Sequence, residues 1–132
     1  MTVLLVEDDP VDAQLVADAL KQEGVGRVHK AASAEEALDW LETMRPELCV
    51  FDVRLPGRSG HDLLAEMRRS DHTRLTPVVM MSSSTRREDI RRAYENGASA
   101  YLHKPSAIDE YGEIARAVRG VWLTPGRSCL PD

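Results

Sequence analysis

The stretch Leu48–Asp52, with the sequence LCVFD, places four uncharged residues directly before a carboxylate. A short apolar run that ends at a polar residue is typical of a strand buried on both faces of a parallel sheet. Four further runs with strand character occur at residues 2–6, 28–32, 78–81 and 100–103. Helical patterns lie between them, and this alternation predicts parallel strands joined by crossover helices. We therefore expect an α/β fold: a single three-layer sandwich, with five helices around a five-stranded sheet.

The segments between the strands have the spacing and the end signals of amphipathic helices. Val11, Leu15 and Ala19 recur at helical spacing and are expected to face the sheet. Ser33 and Thr85 are each followed three residues later by a glutamate, which is the pattern of a capping box. Both residues are therefore predicted to begin a helix.

Composition and charge restrict the classes of partner. The chain has 132 residues, 42% of them hydrophobic, which is the size and balance of one globular domain. Its 17 basic and 22 acidic residues give a net charge of -5, which disfavours nucleic acid or an anionic membrane surface as a partner.

No apolar run exceeds four residues, so we expect no membrane span, no signal peptide and a cytoplasmic location. Cys49 and Cys129 lack a metal-binding spacing and are expected to be reduced, unpaired thiols.

Polar residues follow the predicted strands at their carboxyl ends. Glu7 and Asp8 follow the first strand, Asp52 closes the third, Ser82 follows the fourth and Lys104 closes the fifth. In an open α/β sheet, ligands bind at this edge, where the strand order reverses. A sheet of order 2-1-3-4-5 places strands one and three side by side and makes Asp8 and Asp52 neighbours.

Neighbouring carboxylates at this edge predict a bound cation. Carboxylates about 5 Å apart repel by roughly 3 kcal/mol per pair at an effective dielectric constant of 20. Mg²⁺ fits best, because it prefers oxygen ligands and keeps sites for phosphate oxygens. The Ser82 hydroxyl and the Lys104 ammonium are donors suited to the oxygens of a phosphoryl group. Asp52 is then predicted to be the nucleophile that forms an acyl phosphate.

Five blocks of sequence together resemble the receiver domain of two-component response regulators. They are Val6–Asp9, Phe51–Gly57 with Gly60, Met81-Ser82, Gly97-Ala98 with Tyr101, and Lys104-Pro105. The resemblance covers residues 2–121 and implies a flavodoxin-like receiver fold with strand order 2-1-3-4-5. We expect a receiver domain at residues 1–121, a C-terminal arm at residues 122–132 and no output domain.

The resemblance also implies the reaction and the metal ligands. A histidine kinase is expected to phosphorylate Asp52. The implied Mg²⁺ ligands are Asp8, Asp52 and the backbone carbonyl of Arg54, while Glu7 acts through a water molecule. The expected role is that of a phosphoacceptor signalling protein rather than an enzyme, with no chemistry beyond its own phosphorylation and dephosphorylation.

The remaining implied roles concern the phosphoryl oxygens and a conformational switch. Ser82 and Lys104 are expected to hold the phosphoryl oxygens. Ser82 is expected to move toward the phosphoryl group, and Tyr101 to swing inward, when the protein is phosphorylated. The peptide between Lys104 and Pro105 is expected to be cis.

A narrower resemblance and the end of the last helix predict partners. The run Ser83–Ile90 with Tyr94, the segment Lys104–Ser106 and the pair Trp122-Leu123 before Pro125 resemble single-domain regulators paired with bacterial phytochromes, so the candidate kinase is a bacterial phytochrome. Trp122 lies beyond the part of the last helix that a receiver-sized sheet covers. We therefore expect a homodimer through the C-terminal region, the alternative being that Trp122 folds back onto its own helix.

Other functions fit the residues less well. A phosphatase of the dehalogenase type needs an acid two residues after its nucleophile, where this chain has Arg54. A flavin or nucleotide binder needs glycines and hydroxyls in its first phosphate loop, where this chain has Glu7, Asp8 and Asp9. A phosphate shuttle or sink in a phosphorelay and a non-phosphorylated dimerisation scaffold remain alternatives.

Overall fold

Five parallel strands form one sheet in the computed structural model, which describes residues 1–123. Five α-helices and one 3-10 turn complete that range, and no helix within it is long and apolar enough to span a bilayer. In chain order the elements are β1 (Thr2–Val6), α1 (Pro10–Gln22), β2 (Arg27–Ala31), α2 (Ala34–Leu41), β3 (Leu48–Asp52), α3 (Gly60–Arg69), β4 (Val78–Ser82), α4 (Arg87–Glu95), β5 (Ala100–His103), the 3-10 turn (Ile108–Glu110) and α5 (Tyr111–Leu123). The predicted alternation is confirmed.

The strand order is β2-β1-β3-β4-β5, as predicted. Successive residues of a strand point to opposite faces, so each interior strand contributes to two core layers. Leu5 packs with Val16 and Val118 on the face covered by α1 and α5. Leu4 packs with Leu64 on the face covered by α2, α3 and α4. Helices therefore cover both faces, and the three-layer α/β sandwich is confirmed.

The strand register brings the carboxyl ends of β1, β3 and β4 to one edge of the sheet. Val6 of β1 lies opposite Phe51 of β3, and Asp52 lies opposite Met81 of β4. The residues that follow β1 and β4 therefore flank Asp52. Cys49 is fully buried within β3, as its apolar surroundings in the sequence predict.

One predicted helix start is confirmed and one is wrong. The Ser33 hydroxyl accepts a hydrogen bond from the backbone N–H of Glu36 at 3.1 Å and caps α2. Thr85 does not cap α4, because the N-cap is Arg86 and no side chain caps that end. The Ser84 hydroxyl accepts a hydrogen bond from the Arg86 N–H at 3.2 Å in the turn before the helix, and α4 begins one residue later than predicted.

The predicted apolar face of α1 is wrong at its first residue. Val11 is 66% exposed, whereas Val16 and Leu20 are fully buried. Val11 lies in the first turn of α1 and lines an open groove with Pro105 and Ile108, beyond the edge of the sheet. The sheet offers no apolar surface at that position.

The peptide between Lys104 and Pro105 is trans, so the prediction of a cis peptide is wrong. A peptide before proline favours trans by about 0.5–1 kcal/mol unless tertiary contacts select cis. The backbone N–H of Lys104 donates to the carbonyl of Ser82 at 2.7 Å and continues the pairing of β5 with β4 up to this peptide. This hydrogen bond forms with the following peptide in its trans form.

Candidate functional site

Three carboxylates meet where β1 and β3 end. Glu7, Asp8 and Asp52 each offer an oxygen atom, and these atoms all lie within 4.8 Å of one another. Glu7 and Asp52 are buried, whereas Asp8 is exposed at the rim. Such a set of hard oxygen donors, one side open to solvent, fits a divalent cation that keeps water or phosphate oxygens among its ligands. The predicted proximity of Asp8 and Asp52 is confirmed.

The surroundings of Glu7 disfavour its negative charge. Burial raises the pKa of Glu7 to about 7. The hydrogen bond from Lys104 and that from the Asp9 N–H, at 3.1 Å, oppose this rise, while the charge of Asp52 adds to it. Lys104 therefore offsets the cost of burying Glu7 only in part, and a proton or a metal ion near neutral pH would offset the rest.

Lys104 supplies the positive charge of the site. Its Nζ atom lies 2.5 Å from Glu7 Oε1, 3.1 Å from Asp12 Oδ2 and 3.3 Å from Asp52 Oδ2. Burial disfavours the charged ammonium, but the hydrogen bond to Glu7 and the charges of Asp52 and Glu7 outweigh burial and raise the pKa of Lys104 above its ordinary value. The side chain is therefore a permanent cation beside the Asp52 carboxylate.

The loop after β3 holds Asp52 against the start of α3. The backbone N–H of Arg54 donates to Asp52 Oδ1 at 3.3 Å, and the N–H of Gly60 donates to the carbonyl of Val53 at 2.9 Å. A Cβ atom on Gly60 would lie 2.2 Å from the backbone oxygen of Asp52. Glycine at position 60 is thus required for the close approach of α3 to Asp52, the predicted nucleophile.

Ser82 and Tyr101 meet at the loop between β4 and α4. The buried hydroxyl of Ser82 accepts a hydrogen bond from the N–H of Ser84 at 3.0 Å. The carbonyl of Ser84 accepts a hydrogen bond from the Tyr101 hydroxyl at 2.9 Å, and the Ser84 hydroxyl donates to Asp89 Oδ2 at 2.6 Å. The two residues predicted to form a switch are therefore connected through one residue, Ser84.

Sequence reasoning missed Asp12 and assigned no role to His61. Asp12 contacts Lys104 and accepts a hydrogen bond from the Tyr111 hydroxyl at 3.1 Å. An acidic residue in the first turn of a helix is common because it interacts favourably with the helix dipole, so its sequence position gave no specific signal. His61 is buried, and burial lowers its pKa, while its Nε2 lies 3.8 Å from Asp89 Oδ1.

Comparison with known proteins identifies a matching family and several relatives of similar sequence. The family model described as the response regulator receiver domain matches residues 3–116. The probable methanogenesis regulatory protein FilR2 of Methanothrix harundinacea (strain 6Ac) is 34% identical over 136 residues, which cover 98% of this chain and 88% of that protein. The chain spans about half the length of several other curated relatives. For two of them, the matched part is 51% of the relative's length.

Solved structures support the same relationship. The phosphorylated cyanobacterial phytochrome response regulator RcpA has a TM-score of 0.85 and 27% identity, with 93% of this chain and 94% of that chain covered. The Mn²⁺-bound form of response regulator Rcp1 has a TM-score of 0.84 and 26% identity, with 99% of each chain covered.

Proposed function

Because the chain belongs to the response regulator receiver domain family, we propose that Asp52 accepts a phosphoryl group from a histidine kinase and that this event is the chain's signal. One observation carries the proposal. The buried Asp52 carboxylate lies 3.3 Å from the Lys104 ammonium and within 4.8 Å of the Glu7 and Asp8 carboxylates, at the open edge of a parallel sheet. This arrangement combines a nucleophile, a cation and a candidate metal site.

In the proposed reaction, a carboxylate oxygen of Asp52 attacks the phosphorus atom of a phosphohistidine. A P–O bond forms, the P–N bond breaks, and the bonding pair returns to the imidazole ring. Glu7, Asp8 and Asp52 would hold Mg²⁺, together with the backbone carbonyl of Arg54, and Glu7 would act through a water molecule. Bound Mg²⁺ would neutralise carboxylate charge and coordinate a phosphoryl oxygen. Its donor set also suits Mn²⁺, the ion named for Rcp1.

The side chains on β4 and β5 would then hold the product. The Lys104 ammonium and the Ser82 hydroxyl are the proposed donors to phosphoryl oxygens. Because the Ser82 oxygen only accepts its bond from Ser84, its own hydrogen is available for donation. Movement of Ser82 would displace the Ser84 carbonyl and release the Tyr101 hydroxyl from it. This link supports the proposed switch.

The proposed partners follow from the sequence and the relatives. A bacterial phytochrome is the proposed kinase, supported by the phytochrome response regulator RcpA among the similar structures. A receiver unit at residues 1–121 with a C-terminal arm at 122–132 is the proposed organisation. The side chain of Trp122 and residues 124–132, including Cys129, lie outside the part of the chain that the structure describes. The proposed homodimer through that region therefore rests on the sequence.

The deciding experiment is intact-mass measurement after incubation with a small acyl phosphate, with and without Mg²⁺. Wild-type protein should gain one phosphoryl group only with Mg²⁺, and Asp52→Asn should gain none. Glu47→Gln, a substitution of a partly exposed carboxylate outside the site, serves as the control and should label as wild type does. Equal labelling of Asp52→Asn would remove the basis of the proposal.

A further inference from the structure

Asp12 connects the site to the last helix. This residue lies in the first turn of α1, and its Oδ2 accepts a hydrogen bond from Lys104 Nζ at 3.1 Å. Its Oδ1 accepts a hydrogen bond from the hydroxyl of Tyr111, the first residue of α5, also at 3.1 Å. Tyr111 is buried, and its hydroxyl binds one carboxylate oxygen of Asp12 while Lys104 binds the other. A continuous chain of contacts therefore runs from α5 to the Asp52 carboxylate.

Lys104 has only as many N–H donors as there are carboxylates around it. An ammonium has three N–H donors, and Lys104 faces three carboxylates: Glu7, Asp12 and Asp52. Glu7 and Asp52 belong to the cluster that suits a divalent cation, whereas Asp12 does not. A cation bound by the cluster would share the charge of Glu7 and Asp52, whereas Asp12 would keep its full attraction for Lys104.

A phosphoryl group on Asp52 would change this balance. Its oxygens lie farther out than the carboxylate oxygen that Lys104 now contacts, so Nζ must shift to reach them. The phosphoryl group also brings negative charge close to Asp12, because Asp12 Oδ2 and Asp52 Oδ2 both lie within 3.3 Å of the same nitrogen. Asp12 therefore competes with the phosphoryl group for Lys104. The negative charge of Asp12 also repels the phosphoryl group.

We propose that Asp12 is a positioning residue that restrains Lys104 in the unphosphorylated protein, and that the Tyr111 hydroxyl fixes Asp12 in this role. The proposal rests on the proposed function of Asp52. Phosphorylation draws Lys104 away from Asp12, which loosens the contact between Asp12 and the first residue of α5. The site thereby gains a route to α5 separate from the one through Ser84 and Tyr101.

The test measures the rate of Mg²⁺-dependent labelling by a small acyl phosphate, read by intact mass. Asp12→Asn removes the charge and should label about three- to tenfold faster than wild type. Tyr111→Phe keeps the ring and removes the hydroxyl, so it should label faster by a smaller factor. Asp18→Asn, an exposed carboxylate on the same helix that contacts Gln14, is the matched control and should label at the wild-type rate.

Two further measurements separate this role from simpler effects. The double variant Asp12→Asn with Tyr111→Phe should label no faster than Asp12→Asn alone, because the hydroxyl acts only through Asp12. The acceleration should persist at about 1 M salt, where long-range repulsion of an anionic donor is screened. Thermal unfolding of each variant identifies any general loss of structure.

The outcomes are decisive in both directions. Labelling of Asp12→Asn within about twofold of wild type, slower labelling, additive effects in the double variant, or an acceleration abolished by salt would each overturn the role of Asp12. Labelling of Asp52→Asn would overturn the proposed function instead. The two failures are therefore distinguishable in one series of measurements.

Discussion

The ammonium of Lys104 lies 2.5 Å from the carboxylate of Glu7, and this ion pair is the buried part of the acidic site. Only 1% of the Glu7 side chain and 15% of the Lys104 side chain are exposed. Removing one partner of a buried pair leaves the other charge uncompensated, which is strongly unfavourable. The Lys104 ammonium thus offsets part of the negative charge of the acidic site. A proton or a metal ion would offset the rest.

Asp8→Asn should raise the melting temperature in the absence of divalent metal. It removes one of three carboxylates whose oxygens lie within 4.8 Å of one another. Because Asp8 is exposed and its charge is screened, the gain should be about 1 kcal/mol or less. Saturating Mg²⁺ should stabilise the wild type and stabilise the variant much less. Thermal unfolding with and without Mg²⁺ measures both effects.

The control for this prediction is Asp71→Asn, which removes a fully exposed carboxylate outside the site. Its response to Mg²⁺ should match that of the wild type. If Asp8→Asn also showed the full wild-type shift, Asp8 would not be a metal ligand.

Glu7 should make the metal-free protein less stable as the pH rises from about 4.5 to about 7. Its pKa is raised from 4.5 to about 7, so the folded state binds more protons than the unfolded state in this window. The contribution of Glu7 is fully present below pH 4.5 and lost as the pH passes 7, with a size of at most about 3 kcal/mol. Glu7→Gln should abolish it. Urea unfolding of both proteins between pH 4.5 and 8 tests this slope, and identical slopes would contradict it.

The same titration predicts how metal binding depends on pH. A proton on Glu7 competes with the metal ion, so the apparent affinity for Mg²⁺ should increase between pH 6 and pH 8. Titration calorimetry at several pH values measures this increase. Affinity that is constant over this range would exclude Glu7 from the metal site.

Gly60→Ala should destabilise the protein by about 3 kcal/mol or more, because the new Cβ would lie 2.2 Å from the backbone oxygen of Asp52. Backbone atoms on both sides must move to relieve this contact. Gly26→Ala is the matched control, since its Cβ would meet no atom closer than 3.9 Å. Chemical denaturation compares the two variants. A loss for Gly60→Ala no larger than that for Gly26→Ala would show that the approach of α3 to Asp52 is loose.

Trp122→Ala should convert a homodimer into a folded monomer that still labels at Asp52. Tryptophan is enriched at interface hot spots, and its truncation there often costs about 2 kcal/mol or more. Light scattering at micromolar concentration should give twice the chain mass for the wild type. Leu75→Ala, which truncates an exposed apolar residue between α3 and β4, should leave the mass unchanged. A monomeric wild type, phosphorylated or not, would refute the predicted dimer.

The sequence by itself determined the strand pattern and the residues at the carboxyl ends of the strands, and the family resemblance implied the strand order. Each signal is local: a short apolar run forms a strand, and the residue that follows it lies at the carboxyl end. Because the carboxyl ends of parallel strands share one edge, Asp8 and Asp52 could be placed together once the order 2-1-3-4-5 made strands one and three neighbours. The family resemblance then singled out the same residues.

Only the tertiary structure decided the finer contacts. Thr85 has a capping pattern, yet the N-cap of α4 is Arg86, and no side chain caps that end of the helix. The Lys104–Pro105 peptide is trans, which depends on the packing around it. The partnership of Asp12 with Lys104 and Tyr111 joins residues more than 90 positions apart. No local pattern encodes such a contact, because it exists only after α1, β5 and α5 have packed against one sheet.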